Sequence, residues 1–600
     1  MQPDIKLKIS RLLLVGVLGL LAGSANDTAV PDSPADPPNI LLVMTDDQGW
    51  GDIRSHGNAA IDTPVMDRLA REGVRFERFY VSPVCAPTRA SLLTGRDALR
   101  TGVHGVTRAH ETMRAEEVTL AEALRDAGYA TGMFGKWHNG AHYPYDPNGQ
   151  GFDEFLGFTA GHWNNYFDTQ LEHNGRLTRT AGYITDVLTD AAVQFIEQHR
   201  AAPFFAYVAY NAPHSPFQVP DAYYDKYIAR GLDSQNASVY GMVENVDDNL
   251  GRLLDTLDQL ELSRNTIVVF LTDNGPNGCD RYNGDMKGCK GHVDEGGVRV
   301  PLFVRWPAEL PRDTVVRTLA AHIDVMPTLL DLAGVTPAVQ PAFDGRSLAP
   351  LMRGEPAAWP DRELYSHWYG GGVVQPYPGS VRTERWRAVN KGGGWELYDM
   401  LNDPGQHVEV GAQYPEVVSR LDVAYRDWFA RAASGNFDPI PTPIGYEERP
   451  TVTLPGHEAY LIPSPGAGIN YDVAAGWAND WVTDWTDPAA YAMWPVDVVA
   501  TGRYEITLLY TCPPAHVGGR LRVEIGGEAL EKPVERAHDP LPVFSPDRVL
   551  RKEVYEKEWA SLAMGTVRLE AGVTQLAVRA ATMENGGTID LKAVQLRRVR

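Results

Sequence analysis

Two short polar runs sit just beyond apolar segments. Thr45-Asp46-Asp47-Gln48-Gly49 follows Asn39–Met44, and Thr272-Asp273-Asn274-Gly275 follows Thr266–Leu271. Carboxylate and amide oxygens delivered from neighbouring strand ends suit a hard divalent cation such as Ca2+ or Mg2+. Taken singly, Asp-Asp and Asp-Asn-Gly are also ordinary turn formers; their joint appearance after matching apolar runs favours the cation. A third stretch, Pro83-Val84-Cys85-Ala86-Pro87-Thr88-Arg89-Ala90-Ser91-Leu92-Leu93-Thr94-Gly95-Arg96, places Cys85 near Arg89 at a predicted helix start. A neighbouring cation and a helix N-terminus both favour the reactive thiolate. An isolated cysteine in such a place is otherwise a small buried core residue.

Such groups need a frame. Asn39–Met44, Phe204–Ala209, Thr266–Leu271 and Pro301–Val304 are short apolar runs of the kind that form strands buried on both faces. Met242, Val243, Val246, Leu250, Leu253, Leu254 and Leu257 recur at helical steps and mark one buried helix face. Strands alternating with helices predict an α/β architecture with a mostly parallel sheet sandwiched by helices. In such sheets ligands bind beyond the carboxyl ends of the strands, where both acidic runs fall. From 361 to 435 the texture changes to short strands followed by a helix from Pro415 to Ala433, a small α+β subdomain. Pro439, Pro441, Pro443 and Pro450 mark a linker. From 451 to 600, alternating segments such as Tyr504–Tyr510, Leu521–Ile525 and Thr574–Val578, separated by Gly-rich turns, predict an accessory β-sandwich.

The chain has 600 residues and a formal charge of −22, so nucleic acid and anionic membranes are not expected partners. An anionic substrate requires positive charge gathered in one pocket. Lys6, Lys8 and Arg11 precede the apolar run Leu12–Ala22, followed by Gly23, Ser24 and Ala25. This reads as a signal peptide over residues 1–25, with export to the periplasm or medium and no stable membrane anchor. The run is shorter than the ~20 residues that span a bilayer.

The cysteine stretch resembles the signature of the type I sulfatases: Cys85-x-Pro87-x-Arg89 followed by Leu92-Leu93-Thr94-Gly95. The remaining motifs follow in order. Asp46-Asp47-Gln48-Gly49-Trp50-Gly51-Asp52 is similar to the family's first metal motif, and Gly128-Tyr129-Ala130-Thr131-Gly132-Met133-Phe134-Gly135-Lys136-Trp137-His138 to its second signature. Phe134 departs from the smaller aliphatic usual there. Asn211-Ala212-Pro213-His214, Thr272–Gly275 and the loop Lys290–Pro301 resemble three further motifs, and Leu397-Tyr398-Asp399 with Asp403-Pro404 resembles the small subdomain. The likeness runs from about residue 38 to 435, with the catalytic α/β domain at 38–340 and its smaller companion at 361–435. It implies an alkaline-phosphatase-like fold and hydrolysis of sulfate esters.

The resemblance also implies roles. Cys85 is converted by a formylglycine-generating maturation enzyme to Cα-formylglycine, used as its hydrate. One Ca2+ is held by Asp46, Asp47, Asp273 and Asn274 together with position 85. Arg89 and Lys136 hold the nucleophile and neutralise it. Asp273 helps deprotonate it, His214 and Lys290 bind the sulfate and protonate the leaving oxygen, and His138 serves the second, sulfate-expelling step. An ordinary hydroxyl nucleophile has no second hydroxyl and would remain sulfated.

Other features are open. His142, His162, Trp163, Asn164, Asp168 and His173 either line a pocket for a sugar or aryl group or form a loop packed by its own aromatics. Cys279 and Cys289 either staple the loop before Lys290 or stay free, and Cys512 has no evident partner. Trp477, Trp481, Trp485 and Trp494 are expected to bury a seam against the catalytic domain, ahead of a carbohydrate-binding face. The expected substrate is a sulfated small molecule or glycan. The competing expectations are a phosphonate monoester or phosphodiester hydrolase, and a catalytically inactive binder of sulfated glycans.

Overall fold

The computed structural model describes residues 37–339, 342–355, 359–370, 373–473 and 476–599. The expected signal peptide lies outside the described residues. Residues 38–600 form one compact unit. Among the described residues no helix is long and apolar enough to cross a membrane.

The main sheet has strands β1 (Asn39–Thr45), β2 (Val74–Tyr80), β3 (Ala130–Lys136), β4 (Glu154–Phe158), β5 (Gln170–His173), β6 (Arg176–Arg179), β7 (Phe204–Ala209), β8 (Thr266–Thr272), β9 (Arg299–Arg305) and β10 (Thr314–Val316). Their spatial order is β10-β2-β9-β8-β1-β7-β3-β4-β5-β6, with the two-residue strand Ala320–Ala321 beside β2. The centre, β8-β1-β7-β3-β4, is parallel; β9 runs antiparallel to both β8 and β2, and β5 and β6 close the other edge as a hairpin. The sheet is therefore mixed, and the run Pro301–Val304, expected to match the parallel strands, lies in β9 in the opposite sense.

The central strands alternate between two cores. Ile40, Leu42 and Met44 of β1 join Ile267, Val269 and Leu271 of β8 on one face. Leu41 and Val43 join Val268 and Phe270 on the other, under the helix Ser234–Gln259. That helix buries the periodic residues Met242 to Leu257, and the Asp233 side chain caps its start by accepting from the Asn236 N–H. With both faces covered, every β1 and β8 residue is buried, which explains the unbroken apolar runs Ile40–Met44 and Ile267–Leu271 within them.

A four-stranded antiparallel sheet (Leu364–His367, Gly379–Arg382, Trp386–Asn390, Trp395–Asp399) packs under the helix Pro415–Ala432. Beyond it, two six-stranded sheets share one apolar core. Thr442–Ile444, expected within a linker, is instead an edge strand of this sandwich, paired in parallel with Tyr491–Val498. Pro443 can occupy it because an edge strand leaves one row of N–H groups unused. The tryptophans differ from the expected seam. Trp485 and Trp494 lie in the sandwich's own core, Trp481 packs on Trp559, and Trp477 is 41% exposed.

Candidate active site

The carboxyl ends of β1, β8, β7 and β3 converge. β1 delivers Asp46 and Asp47, β8 delivers Asp273 and Asn274, β3 ends in Lys136 with His138 just beyond, and His214 follows β7. Opposite them, the helix Cys85–Thr94 starts at Cys85 and is buried throughout. Cys85 therefore sits at the positive end of the helix, and Arg89, one turn on, reaches into the cluster.

Each acid is matched by one base. Arg89 donates from Nε and Nη2 to Asp273 Oδ2 at 3.1 and 2.7 Å, and from Nη1 to the Lys136 carbonyl at 2.8 Å. Lys136 Nζ lies 2.7 Å from Asp46 Oδ2, and Lys290 Nζ 2.6 Å from Asp47 Oδ1. Asp46, Asp47, Asp273, Arg89 and Lys136 are fully buried, whereas Lys290 and His214 keep 22% and 12% of their side chains exposed and mark the open side. With three acids against three bases the cluster is close to neutral. The positive pocket expected from Arg89, Lys136, Lys290 and the histidines is thus not supplied by those side chains alone.

Three oxygens are left over. Asp46 Oδ1, Asp47 Oδ2 and Asn274 Oδ1 are buried without a hydrogen-bond partner. Ligand atoms of Asp46, Cys85 and Asp273 lie within 4.8 Å of one another, as do those of Asp46, Asp47 and His214. Unpaired buried oxygens carry a cost of a few kcal/mol each, and a hard cation among them would relieve it. Protonation follows the same logic. Burial raises Asp46 above the ordinary carboxylate range despite Lys136. Burial and the Asp46 charge lift Asp273 to about 6. Burial would also raise Asp47, but the Lys290 charge, with hydrogen bonds from Lys290 and Asn274, holds it well below the usual range.

The histidines are neutral. Burial and Lys136 push His138 far below its ordinary value; its Nε2–H donates to the Val106 carbonyl at 2.9 Å, and Nδ1 is buried without a partner. Burial and Lys290 lower His214 to about 4; its Nδ1–H donates to the Ser215 carbonyl at 2.6 Å, and Nε2 lies 3.7 Å from Asp47 Oδ2. Gly161 faces His138 so closely that a Cβ there would stand 2.7 Å from Nε2.

Of the looser pocket residues, His162 stacks on His214 with ring centres 5.8 Å apart. His142 Nε2 lies 3.5 Å from Glu458 Oε2, and buried Asn164 accepts at its carbonyl from Gln218 Nε2 at 3.3 Å. The other three are held elsewhere. Trp163 stacks on Phe158 and donates to Thr169 Oγ1, packing the loop itself. Asp168 is an exposed turn residue with φ 47° that accepts from the Gly182 N–H. His173 is on an exposed hairpin, 2.6 Å from Glu154 Oε1. Cys279 and Cys289 are joined in a disulfide that precedes Lys290, and Cys512 is free and buried. Phe134 fills a buried slot against Phe195.

Sequence reasoning missed Arg281. It is 2% exposed at its side chain, pairs with fully buried Asp52 at 2.9 Å, and donates to the Asp47 carbonyl at 2.8 Å. Asp52 in turn accepts from the Gly49 N–H at 2.7 Å. The pair therefore fixes the backbone that presents Asp46 and Asp47. Nothing local flags it, since 229 residues separate the partners.

Comparison with known proteins fits this arrangement. The family profile described as Sulfatase matches residues 38–335, and that of the N-sulphoglucosamine sulphohydrolase C-terminal region matches 289–426. An N-acetylgalactosamine-6-sulfatase of Mus musculus is 34% identical over 439 residues, covering 66% of this chain and 79% of its own. An arylsulfatase of Hemicentrotus pulcherrimus is 30% identical over 455 residues, covering 65% and 80%. The crystal structure of Ps i-CgsB in complex with k-i-k-neocarrahexaose aligns with TM-score 0.62 at 29% identity, covering 67% of this chain and 94% of that one. Four parallel strand ends, their acids and amides, and a cysteine-headed helix thus stand where these matches run, and the chain belongs to the sulfatase family, as a sulfuric ester hydrolase on the alkaline-phosphatase-like fold.

Proposed function

We propose that this sulfatase acts on sulfated carbohydrates in an exported setting, with a formylglycine made from Cys85 and one divalent cation, Ca2+ by family likeness. The observation that carries the reading is the convergence of Cys85 with Asp46 and Asp273, in a cluster where Asp46, Asp47 and Asn274 each keep a buried oxygen without a partner. Asp46, Asp47, Asp273 and Asn274 would hold the cation. When bound, it would supply Lewis acidity and orient sulfate oxygens. The aldehyde hydrate would supply a nucleophile with a second hydroxyl for release of sulfate.

The side chains of this chain do the rest by charge and proton placement. Arg89 and Lys136 stand beside position 85 as fixed, dry positive charges, where electrostatic stabilisation is strongest. Lys290 retains its proton, since the Asp47 charge outweighs burial, and offers N–H donors on the open side. His214 beside it is neutral and fixed by the Ser215 carbonyl. His138 has an unprotonated, partnerless Nδ1 able to accept a proton. Asp273, raised to about 6, is a stronger base than an ordinary carboxylate.

We read residues 38–340 and 361–435 as the catalytic unit and 451–600 as an accessory domain. The Cys279–Cys289 disulfide supports an oxidising compartment, and the sugar-sulfate names of the relatives support a glycan substrate. The test is sulfate release from p-nitrophenyl sulfate and a panel of sulfated saccharides, beside a phenyl phosphonate ester. Cys85→Ala serves as the blank, and mass spectrometry of the Cys85 peptide reads the modification. The expected result is aldehyde at position 85, turnover of sulfates above phosphonate, and loss of activity in Cys85→Ala and after chelation. Full turnover by Cys85→Ala refutes the reading.

A further inference from the structure

The β-sandwich reaches into the active site. Its short helical turn Gly456–Glu458 places buried His457 and partly buried Glu458 against the loops that carry His142 and His162. Glu458 Oε2 lies 3.5 Å from His142 Nε2. Asn479, also from the sandwich, donates to the His162 carbonyl at 2.8 Å, and His162 stacks on His214. A second contact braces the other side. Gln218 Nε2 donates to Ser545 Oγ at 2.6 Å and to Asp547 Oδ1 at 2.9 Å, while Ser215 Oγ donates to Glu553. The loop that carries His214 is therefore clamped from the sandwich.

Polar atoms around this junction lack partners. Glu111 Oε2, His162 Nε2, His457 Nδ1 and the Tyr460 hydroxyl are all buried without a hydrogen bond. Glu111, His162 and His457 are each more than nine-tenths buried. Glu111 joins the two sides: Asn139 Nδ2 donates to the carbonyls of Ala86, next to Cys85, and of Glu111 at 3.0 and 3.5 Å, and Glu111 lines one small cavity with His142 and Glu458. Buried polar groups are normally satisfied, so a row of unsatisfied ones beside a reactive centre points to a ligand that supplies the missing bonds. Two carboxyls, two neutral imidazoles and a phenol offer donors and acceptors in alternation. That chemistry matches a hydroxylated ring, and the Glu458 carboxylate disfavours a second anionic group on this side.

We infer that the β-sandwich supplies one wall of the substrate site, with His457, Glu458 and Tyr460 joining Glu111 and His162 to bind hydroxyl groups of the sugar that bears the sulfate. The inference rests on the sulfated-carbohydrate reading above. Its consequence is that selectivity for sugar over aryl sulfates resides partly in residues beyond 435, outside the stretch 38–426 that the family profiles match.

The experiment compares full-length wild type, Glu458→Gln and His457→Asn. kcat and KM are measured for p-nitrophenyl sulfate and for the best substrate among sulfated galactose, N-acetylgalactosamine, glucosamine and fucose. The unsulfated form of that sugar is then tested as an inhibitor of p-nitrophenyl sulfate turnover, and the Tm of each protein is recorded. The expected result is a fall of about tenfold or more in the ratio of sugar to aryl kcat/KM, carried by KM, as when a site loses its bond to a substrate hydroxyl. Inhibition by the unsulfated sugar weakens in step. An unchanged ratio in both variants overturns the wall. So does an equal fall for both substrates alongside a lower Tm, which is mere structural support. Wild type that cleaves the aryl ester and no sugar sulfate overturns the wall and the sugar reading but leaves the sulfatase assignment intact; wild type inactive on every sulfate overturns all three.

Discussion

Replacing Arg281 by alanine removes five hydrogen bonds from beneath the proposed cation site. Three run from the guanidinium to the Asp52 carboxylate at 2.9–3.0 Å, one to the Asp47 carbonyl at 2.8 Å and one to the Asn277 carbonyl at 2.9 Å. Asp52 has no solvent exposure, so Arg281→Ala leaves its charge buried with the Gly49 N–H still donating to it. Breaking a buried ion pair in this way costs about 3–5 kcal/mol. At roughly 2.1 cal/mol/K per residue, that energy corresponds to a Tm lower by about 3 °C for a chain of this size. The larger effect falls on the cation, because the Asp46–Gly49 backbone loses its anchor; removing such a support raises the half-saturating Ca2+ concentration by about 10–100-fold. The assay is sulfatase activity across a Ca2+ titration after chelation, with calorimetry on the same samples. Arg281→Ala combined with Asp52→Asn, which removes the stranded charge, recovers part of the lost Tm but not the Ca2+ requirement. An unchanged Ca2+ requirement in Arg281→Ala, or a double variant no more stable than the single one, would refute the reasoning.

Three further outcomes are expected. Gly161→Ala places a Cβ 2.7 Å from His138 Nε2 and forces the ring off the Val106 carbonyl, so kcat falls about 100-fold while the fold persists; steady-state kinetics beside circular dichroism check this, and wild-type kcat would disprove it. Burial and the neighbouring Asp344 raise Asp97 from its ordinary 3.8 to about 7. The folded chain therefore holds a proton that the unfolded chain releases: the stability is fully present below pH 3.8 and is lost as pH rises through about 7. Tm should fall as pH rises from about 4 to about 7, and Asp97→Asn, still able to accept from Trp428, should flatten that slope. Finally, Cys279→Ser with Cys289→Ser opens a loop of sequence separation 10 and costs about 3 kcal/mol. It also loosens the segment that carries Lys290, so KM for the sulfate ester rises; an unchanged KM with a lowered Tm would confine the disulfide to stability.

Much of the site was legible because its residues follow strands whose sequence is set by burial on both faces. Ile40–Met44 and Ile267–Leu271 are apolar throughout, and the acids begin one threonine beyond where the apolar runs stop. The Cys85–Arg89 spacing is one helical turn, and the turn exists as expected. Residues 162–173 were harder. His162, Trp163, Asp168 and His173 look alike in sequence, yet the hairpin β5–β6 carries His173 to an exposed edge while His162 meets His214.

Local pattern thus determined which strands exist, where they end and which chemical groups stand at those ends. Periodicity and turn chemistry act over a few residues, so they fix an element without saying what it faces. Tertiary structure decided that Arg281 supports the loop holding Asp47, that Trp485 and Trp494 of the sandwich pack inside it, and that Glu458 lines a cavity with Glu111 and His142. Those juxtapositions join residues up to several hundred positions apart, and they depend on how strands order themselves in a sheet and on how a second layer docks against it.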